Sequence, residues 1–384
     1  MSASTLSDVS AETAHDTVRS AGAPLVEVSN LTVSFASGKA WKPAVSGVSF
    51  HVAPGEILGI VGESGCGKSV TSFSIPRLHD ERSTRYAGAI RFDGKSVFDM
   101  DKHELTALRG EDIGFIFQDP MSSLDPLMKV GAQLAETVHA HHKGLPKAEV
   151  VKRCAEALAE AGADDPQAWM GKYPHQMSGG QLQRVVIAMA LINRPRLIIA
   201  DEPTTALDVT IQGQLLRVFR RLRDDLGTAI ILITHDMGVV AQICDRVAVM
   251  YLGQIVEAAD VIELFARPCH PYTKGLLAAT PPLEGARPTR LNTIAGSVPQ
   301  LSDVSTGCRF ATRCPFATAS CTTGAVGIAP LGDKGTAGHW VRCARIQDVK
   351  DLPYPAATEP EGEATTVFDS LENAGDTGKE PHDE

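Results

Sequence analysis

Short apolar runs recur along the chain and alternate with longer stretches of helical periodicity. The runs cover residues 57–61, 197–200, 229–233 and 247–250. Strands that are buried on both faces of a parallel sheet show such continuous runs. Apolar residues recur at helical spacing in 147–161, 181–191 and 211–226. This order predicts an α/β domain with helices on both faces of its sheet.

Other stretches differ from these in their pattern of apolar residues and in composition. Alternating and β-branched residues in 26–35 and 44–52 predict a small antiparallel sheet before the α/β core. Residues from about 121 to 180 carry helical patterns without a strand signal, which predicts a helical insertion. The predicted boundaries are a disordered tail at 1–24, a core domain at 25–265, a small domain rich in Pro, Gly and Cys at 266–350, and an acidic disordered tail at 351–384.

Charge and hydropathy exclude several classes of function. The net charge of −10 disfavours a protein that holds nucleic acid by releasing counterions. The apolar runs are much shorter than the roughly 18 to 20 residues of a membrane-spanning helix, so a membrane role would be peripheral. The first 24 residues lack the pattern of a secretory signal, and we therefore expect a cytoplasmic location. In that compartment the 8 cysteines are expected to be free thiols or metal ligands.

A glycine-rich loop follows the first of the apolar runs and precedes a helix. This is the context of a Walker A phosphate-binding loop. Its glycines let backbone N–H groups face phosphate oxygens, its lysine neutralises charge, and its final hydroxyl is a Mg²⁺ ligand. The predicted nucleotide-binding residues are Gly62, Glu63, Ser64, Gly65, Cys66, Gly67, Lys68 and Ser69. Because Cys66 lies at a helix N-terminus beside Lys68, we also predict a reactive thiol with a lowered pKa.

Two carboxylates end a later apolar strand, in the manner of a Walker B motif. We expect Asp201 to hold Mg²⁺ and Glu202 to act as the general base that activates water. An acidic pair after a strand is more often the start of a solvated loop. The glycine-rich loop upstream favours the catalytic interpretation.

A third motif precedes the helix predicted at 181–191, and it makes a family resemblance clear. Ser178, Gly179, Gly180 and Gln181 follow Met177, and the sequence resembles the ATP-binding subunits of ABC transporters, whose signature is Leu-Ser-Gly-Gly-Gln. The Met at the first position is similar to Leu in volume. The resemblance implies a P-loop NTPase fold of the ABC type, ATP and Mg²⁺ as ligands, and a signature that caps the γ-phosphate held by a second subunit.

The same resemblance assigns further roles. It implies that Gln118 contacts Mg²⁺ or the attacking water, that Asp208 lies in the D-loop, and that His235 contacts the γ-phosphate. Trp41 is the candidate for stacking on adenine, with Phe35 as the rival.

Other segments resemble the oligopeptide and dipeptide importers within that family. They are residues 62–71, 117–126, 270–277 and 296–315. The resemblance implies an ATPase that powers peptide uptake at the cytoplasmic face of the membrane. Its expected partners are a second ATP-binding subunit, which the resemblance favours as a paralogue, two transmembrane permease subunits and an extracytoplasmic substrate-binding protein. The alternatives are a soluble ABC-type ATPase that acts on DNA or the ribosome, and an importer of another solute such as nickel or glutathione.

Four cysteines gather near the C-terminal end: Cys308, Cys314, Cys321 and Cys343. Their spacing lacks the short Cys-x2-4-Cys steps of structural zinc. Wider spacings are more compatible with a [4Fe–4S] cluster, which the importer resemblance also implies. Zinc and four unligated thiols remain the alternatives. We expect the neighbouring arginines to offset the charge of a cluster, namely Arg309, Arg313, Arg342 and Arg345.

Overall fold

The computed structural model describes residues 23–204, 209–280, 292–300, 306–331 and 338–355. The predicted tails lie almost wholly outside the described residues. The described chain forms two sheets, one of four strands and one of eight. The strands are β1 (Val26–Ser37), β2 (Ala40–Val52), β3 (Ile57–Val61), β4 (Thr84–Phe92), β5 (Lys95–Ser96), β6 (Ile113–Ile116), β7 (Leu197–Asp201), β8 (Ala229–Thr234), β9 (Arg246–Tyr251), β10 (Gln254–Asp260), β11 (Ala329–Pro330) and β12 (Trp340–Val341).

The helices surround the larger sheet and form the insertion. They are α1 (Lys68–Ser74), α2 (Lys102–Leu108), α3 (Val130–His141), α4 (Lys147–Glu160), α5 (Pro166–Met170), α6 (Gly179–Leu191), α7 (Val209–Leu226), α8 (Met237–Ile243), α9 (Val261–Ala266), α10 (Pro271–Ala278) and α11 (Ile346–Val349). Helices α3 to α5 occupy the predicted insertion, and no strand interrupts it. Within the described ranges, none of the helices has both the length and the apolar character needed to cross a bilayer.

The larger sheet has a parallel centre in the order β9-β3-β8-β7-β6. Apart from residues at the strand ends, these strands carry no polar side chains, because both faces of the sheet are covered. In β3, Ile57 and Val61 pack in the core on the helical side, whereas Leu58 and Ile60 pack in the core shared with the antiparallel sheet. The predicted α/β fold with an N-terminal antiparallel sheet is confirmed, and it brings the carboxyl ends of β3, β6, β7 and β8 to one edge.

The C-terminal region extends this architecture. Strand β12 pairs antiparallel with β10, which in turn pairs with β9, so the region after residue 266 adds strands to the core sheet. Tyr272 and Phe310 are fully buried in the core on the helical side. The sequence predicts a second, smaller domain here, and the structure adds that this region shares both the sheet and the core of the ATP-binding part.

Candidate nucleotide-binding site

The glycine-rich loop, residues 62–69, leaves β3 and enters α1 as the sequence predicts. Two of its glycines have backbone angles that suit only glycine: φ is 155° at Gly62 and 106° at Gly67. A Cβ atom at Gly62 would lie 2.2 Å from the carbonyl oxygen of Met250. The loop can therefore curl tightly enough to present its backbone N–H groups only because these positions carry no side chain.

Lys68 is buried and its ammonium is turned back onto the loop. Its Nζ donates to the carbonyl oxygens of Gly62 at 2.7 Å and Glu63 at 3.0 Å. The same nitrogen lies 4.0 Å from Oε1 of Glu202. The positive charge thus sits between the phosphate loop and the carboxylate that ends the next motif.

Asp201 is buried at the end of β7, beside Ser69. Its Oδ1 makes no hydrogen bond within the described residues. Burial raises the pKa of this carboxyl, while a hydrogen bond from Ser69 lowers it. An unpartnered carboxylate oxygen beside a hydroxyl is the hard oxygen donor set that Mg²⁺ prefers, so these two residues fit that ion.

Glu202 is the point at which the predicted catalytic residues meet. Its Oε2 accepts from Nε2 of Gln118 at 3.0 Å, and its Oε1 lies 3.5 Å from Nδ1 of His235. Its backbone has a φ of 48°, in the left-handed region that non-glycine residues rarely adopt. The backbone N–H donates to the carbonyl oxygen of Ile233 at 2.9 Å, which helps to hold this conformation and aims the carboxylate at the strand edge.

The signature segment caps α6 by a reciprocal pair of hydrogen bonds. The N–H of Gln181 donates to the Ser178 hydroxyl at 3.4 Å, and the N–H of Ser178 donates to Oε1 of Gln181 at 3.1 Å. Ser178 and Gly179 are exposed, and Gly180 is half-buried. The helix N-terminus is therefore open to an anion from outside the chain.

The candidate adenine residue lies on β2, next to the β1–β2 turn. Trp41 is half-buried, and the guanidinium carbon of Arg85 sits 4.0 Å from its ring centroid. Phe35 instead makes an edge contact with His79 at 5.2 Å between centroids. Asp208 of the predicted D-loop lies outside the described residues.

The structure contradicts the lowered pKa that the sequence predicts for Cys66. The thiol is only 2% exposed, and burial raises its pKa in spite of the opposing effect of Lys68. A helix N-terminus and a cation lower a thiol pKa only where water or another dipole still solvates the thiolate. Here the loop folds over the sulfur.

Sequence reasoning missed two contacts of Glu63. Its carboxylate forms a two-point ion pair with Arg313, at 2.6 Å and 3.0 Å, and its N–H donates to the Tyr272 hydroxyl at 2.9 Å. From the sequence, Arg313 is expected only as a neighbour of the clustered cysteines. Its pairing with the half-buried Glu63 depends on the fold, which brings together residues far apart in the chain.

The four C-terminal cysteines line one pocket, together with His270 and Phe310. Burial and, more weakly, the neighbouring thiols raise the pKa of Cys314 to about 12. Burial also raises the pKa of Cys308 to about 11. As folded here, these groups are therefore neutral thiols unless a metal replaces their protons.

The flanking arginines do not all serve these thiols as the sequence suggested. Arg313 binds Glu63, Arg309 donates to the carbonyl of Leu252, and Arg342 donates to the carbonyl of Val326. Arg345 bonds the carbonyl of Phe316, and its charge lowers the pKa of Cys343 while burial raises it. All four guanidiniums thus donate to acceptors other than the cysteine sulfurs, and the expected offset of a cluster's charge stays a prediction.

Sequence and structure comparisons place the chain among known proteins. The family described as ABC transporter matches residues 45–205, and the C-terminal region of oligopeptide/dipeptide transporters matches residues 256–321. The oligopeptide transport ATP-binding protein AppD of Bacillus subtilis is 45% identical over 320 residues, which cover 83% of this chain and 96% of AppD. The oligopeptide transport ATP-binding protein OppD of the same organism is 49% identical over 294 residues, which cover 76% of this chain and 82% of OppD.

A solved structure agrees with these sequence relatives. The ATP-binding cassette MJ0796, determined as a dimer bound to ADP and Pi, aligns with a TM-score of 0.56 at 30% identity and covers 62% of this chain and 98% of that one. The chain therefore belongs to the ABC transporter family, as an ATP-binding subunit of the oligopeptide/dipeptide type and an ATPase coupled to transport.

Proposed function

We propose that this chain hydrolyses MgATP to power the uptake of peptides through separate membrane subunits. The observation that carries the proposal is the meeting of Gln118, His235 and Lys68 on the carboxylate of Glu202. One edge of the sheet thus holds a base (Glu202), a cation (Lys68) and two polar groups that can contact the γ-phosphate or the attacking water (Gln118 and His235). This is the set of groups that phosphoryl transfer to water requires.

The reaction follows from the positions of these groups. Glu202 takes a proton from water while the water oxygen bonds the γ-phosphorus, and the bond from that phosphorus to the β–γ bridging oxygen breaks. Lys68 turns from the loop carbonyls to the β- and γ-phosphates. Ser69, Asp201 and Gln118 would hold Mg²⁺, which supplies neutralisation of the phosphate charge. His235 contacts the γ-phosphate.

The remaining predicted residues act at the borders of the site. Trp41 stacks on adenine once Arg85 leaves its face. The segment 178–181 caps the γ-phosphate of a second ATP-binding subunit, and Asp208, which lies outside the described residues, stays the D-loop candidate. The exposed Ser178 and Gly179 support this, since a helix N-terminus open to solvent can receive a phosphate from a facing chain.

Transport requires further chains. The partners are a second ATP-binding subunit, which we expect to be a paralogue, two permease subunits, and an extracytoplasmic peptide-binding protein. The chain would lie peripherally at the cytoplasmic face of the membrane. The names of AppD and OppD, which are oligopeptide transport ATP-binding proteins, support this assignment.

Reconstitution with the co-purified membrane subunits tests the proposal. Vesicles should take up a peptide only with ATP and a competent Glu202. Uptake of nickel or glutathione but no peptide would move the proposal to a different solute. ATPase activity stimulated by DNA or ribosomes, with no permease attached, would overturn it.

The four clustered cysteines fit a [4Fe–4S] group better than a zinc ion. A tetrahedral zinc with bonds of about 2.3 Å needs sulfurs about 3.8 Å apart. Among the described residues, Glu257, Cys269 and His339 form the one group of three such ligand atoms within 4.8 Å of one another, so no three of the clustered sulfurs lie that close together. A cubane with an iron beneath each thiolate suits that wider spacing.

A buried polar atom in the same pocket also suits this group. Nε2 of His270, which is 1% exposed, has no hydrogen bond in the part of the chain that the structure describes. Its Nδ1 accepts from the N–H of Tyr272, so Nε2 carries the proton of the neutral ring. A sulfide or thiolate would give that N–H an acceptor. Bound there, the group would supply folding stability to a region with few strands of its own.

A further inference from the structure

Two arginines of the cysteine-rich region hold the phosphate-binding loop. Arg313 precedes Cys314 and Arg309 follows Cys308 in the sequence. Each reaches away from the cysteine pocket toward residues 62–69 or the turn that supports them. The cysteine-rich region therefore touches the ATP site, although it lies about 250 residues away in sequence.

Arg313 contacts the phosphate-binding loop directly, and all three of its guanidinium nitrogens donate hydrogen bonds. Its side chain is 5% exposed, and both terminal nitrogens donate to the Glu63 carboxylate. Its Nε donates to the carbonyl oxygen of Ala295 at 3.0 Å. The guanidinium thus fixes Glu63 from one side, in the planar two-point geometry that lysine cannot reproduce.

Tyr272 fixes the same residue from the other side. Its hydroxyl accepts the N–H of Glu63 at 2.9 Å. The Tyr272 ring is fully buried against Tyr251 and Phe310, and Phe310 lies between Arg309 and Arg313 in sequence. Both the backbone and the side chain of Glu63 are therefore anchored in the core that the cysteine-rich region helps to form.

The contact of Arg309 acts through a turn. Its guanidinium donates to the carbonyl of Leu252, in the turn between β9 and β10. The next residue, Gly253, donates its N–H to the carbonyl oxygen of Cys66 at 2.6 Å. A second part of the phosphate loop is thus tied to the same region by an independent route.

The physical need for such anchors lies in the glycines of the loop. A chain that contains Gly62, Gly65 and Gly67 in left-handed conformations has many alternatives when no phosphate is bound. The apparent affinity for ATP is reduced in proportion to the fraction of molecules whose loop is not in the phosphate-accepting conformation. Contacts that fix the two ends of residues 63–66 remove that loss.

We propose that Arg313 and Arg309 are positioning residues for ATP, which make the cysteine-rich region a structural part of the nucleotide site. Any event that loosens the region around Cys308 and Cys314 then weakens ATP binding without changing the groups that perform hydrolysis. The inference rests on the ATP site alone and holds for any solute and for any occupant of the cysteine pocket.

The test compares Arg313→Gln with Arg342→Gln in the full chain. Arg342 is a matched control because it also adjoins a clustered cysteine, Cys343, but its side chain donates to the carbonyls of Ile255 and Val326. We expect Arg313→Gln to raise the Kd of MgATP about tenfold, as when the competent population falls to about a tenth. Arg342→Gln should leave the Kd of MgATP within about twofold of the wild-type value. It should lower Tm by about as much as Arg313→Gln does. The turnover rate at saturating ATP should stay near the wild-type rate in Arg313→Gln.

The variant Glu63→Gln keeps the proposal testable if Arg313→Gln does not fold. Glu63→Gln removes the other half of the ion pair and should raise the Kd of MgATP to a similar extent. The double variant should bind no more weakly than the weaker single variant, because the two residues act through one contact. An unchanged Kd in either single variant, or an equal rise in Arg342→Gln, would overturn the proposal.

Discussion

Gln118 Nε2 and Glu202 Oε2 lie 3.0 Å apart, so that residues following two neighbouring parallel strands, β6 and β7, are joined across the edge of the sheet. The Gln118 amide donates this hydrogen bond to the Glu202 carboxylate. The proposed general base is thus already oriented. Because Gln118 precedes the helical insertion in sequence, this hydrogen bond links the proposed base to the start of that segment.

Replacing Glu202 with Gln removes the base and keeps the shape of the side chain. We expect hydrolysis to slow by roughly 10²- to 10⁴-fold, the usual contribution of a positioned general base. Binding of MgATP should persist, because Lys68, Ser69 and Asp201 are untouched. Phosphate release and equilibrium ATP binding, measured on the same assembled transporter, check this. A variant that turns over at the wild-type rate shows that another group takes the proton.

Cys66 should be slow to alkylate in the nucleotide-free protein. Burial raises the pKa of its thiol, so little thiolate is present at neutral pH, and the folded loop blocks access. Labelling with iodoacetamide followed by mass spectrometry should show Cys269, which is half-buried, reacting before Cys66. Fast labelling of Cys66 that MgATP prevents would restore the reactive thiol expected from sequence.

Protein purified without oxygen should contain iron and sulfide at about four each per chain if the pocket holds a [4Fe–4S] cluster. Metal analysis and absorption spectra measure this directly. Serine at Cys314 should lower the iron content and Tm more than serine at Cys154, a buried thiol on α4 far from the pocket in sequence. Colourless protein with one zinc per chain would support the zinc alternative, and protein with neither metal would leave four unligated thiols.

The buried pair of Glu257 and His339 should make the fold sensitive to alkali. Burial lowers the pKa of His339, but hydrogen bonds to Cys269 and Glu257, which lies 2.8 Å away, outweigh it and raise the pKa to about 10. An unfolded histidine has a pKa of about 6.5. Because the folded pKa is the higher one, the protonated pair stabilises the fold fully below about pH 6.5, and this stability is lost as the pH rises through about 10.

Urea denaturation of wild type and of His339→Asn checks this prediction. The variant should be less stable at pH 7, and the difference in the free energy of unfolding should shrink by pH 10. A difference that stays constant over that range would show that His339 contributes by packing rather than by its charge.

The sequence predicted those parts of the structure that depend on local pattern. The runs that became β3, β7, β8 and β9 were recognisable because burial on both faces leaves no polar position in them. The phosphate loop was recognisable because its conformation demands glycine at fixed intervals. Burial on both faces and the need for glycine both constrain residues that are close together in the sequence, and they therefore leave a local pattern.

The parts that were missed or wrong depend on residues brought together from far along the chain. Strands β11 and β12 have two residues each, too few for any periodicity, and exist because β10 offers an open edge. The lowered pKa expected for Cys66 was wrong because proximity to Lys68 is visible in sequence, whereas the burial of the thiol is not. The partner of Glu63 was invisible for the same reason.

The Nζ of Lys68 donates hydrogen bonds to the carbonyl oxygens of Gly62 and Glu63. A ligand must therefore exchange two satisfied hydrogen bonds for new ones before the ammonium can reach it. Only a densely charged group offers that exchange at no loss, since a charge-assisted bond is roughly twice as strong as a neutral one. A polyphosphate can therefore draw Lys68 away from the loop carbonyls, whereas adenosine, which carries no charge, offers the lysine no stronger partner.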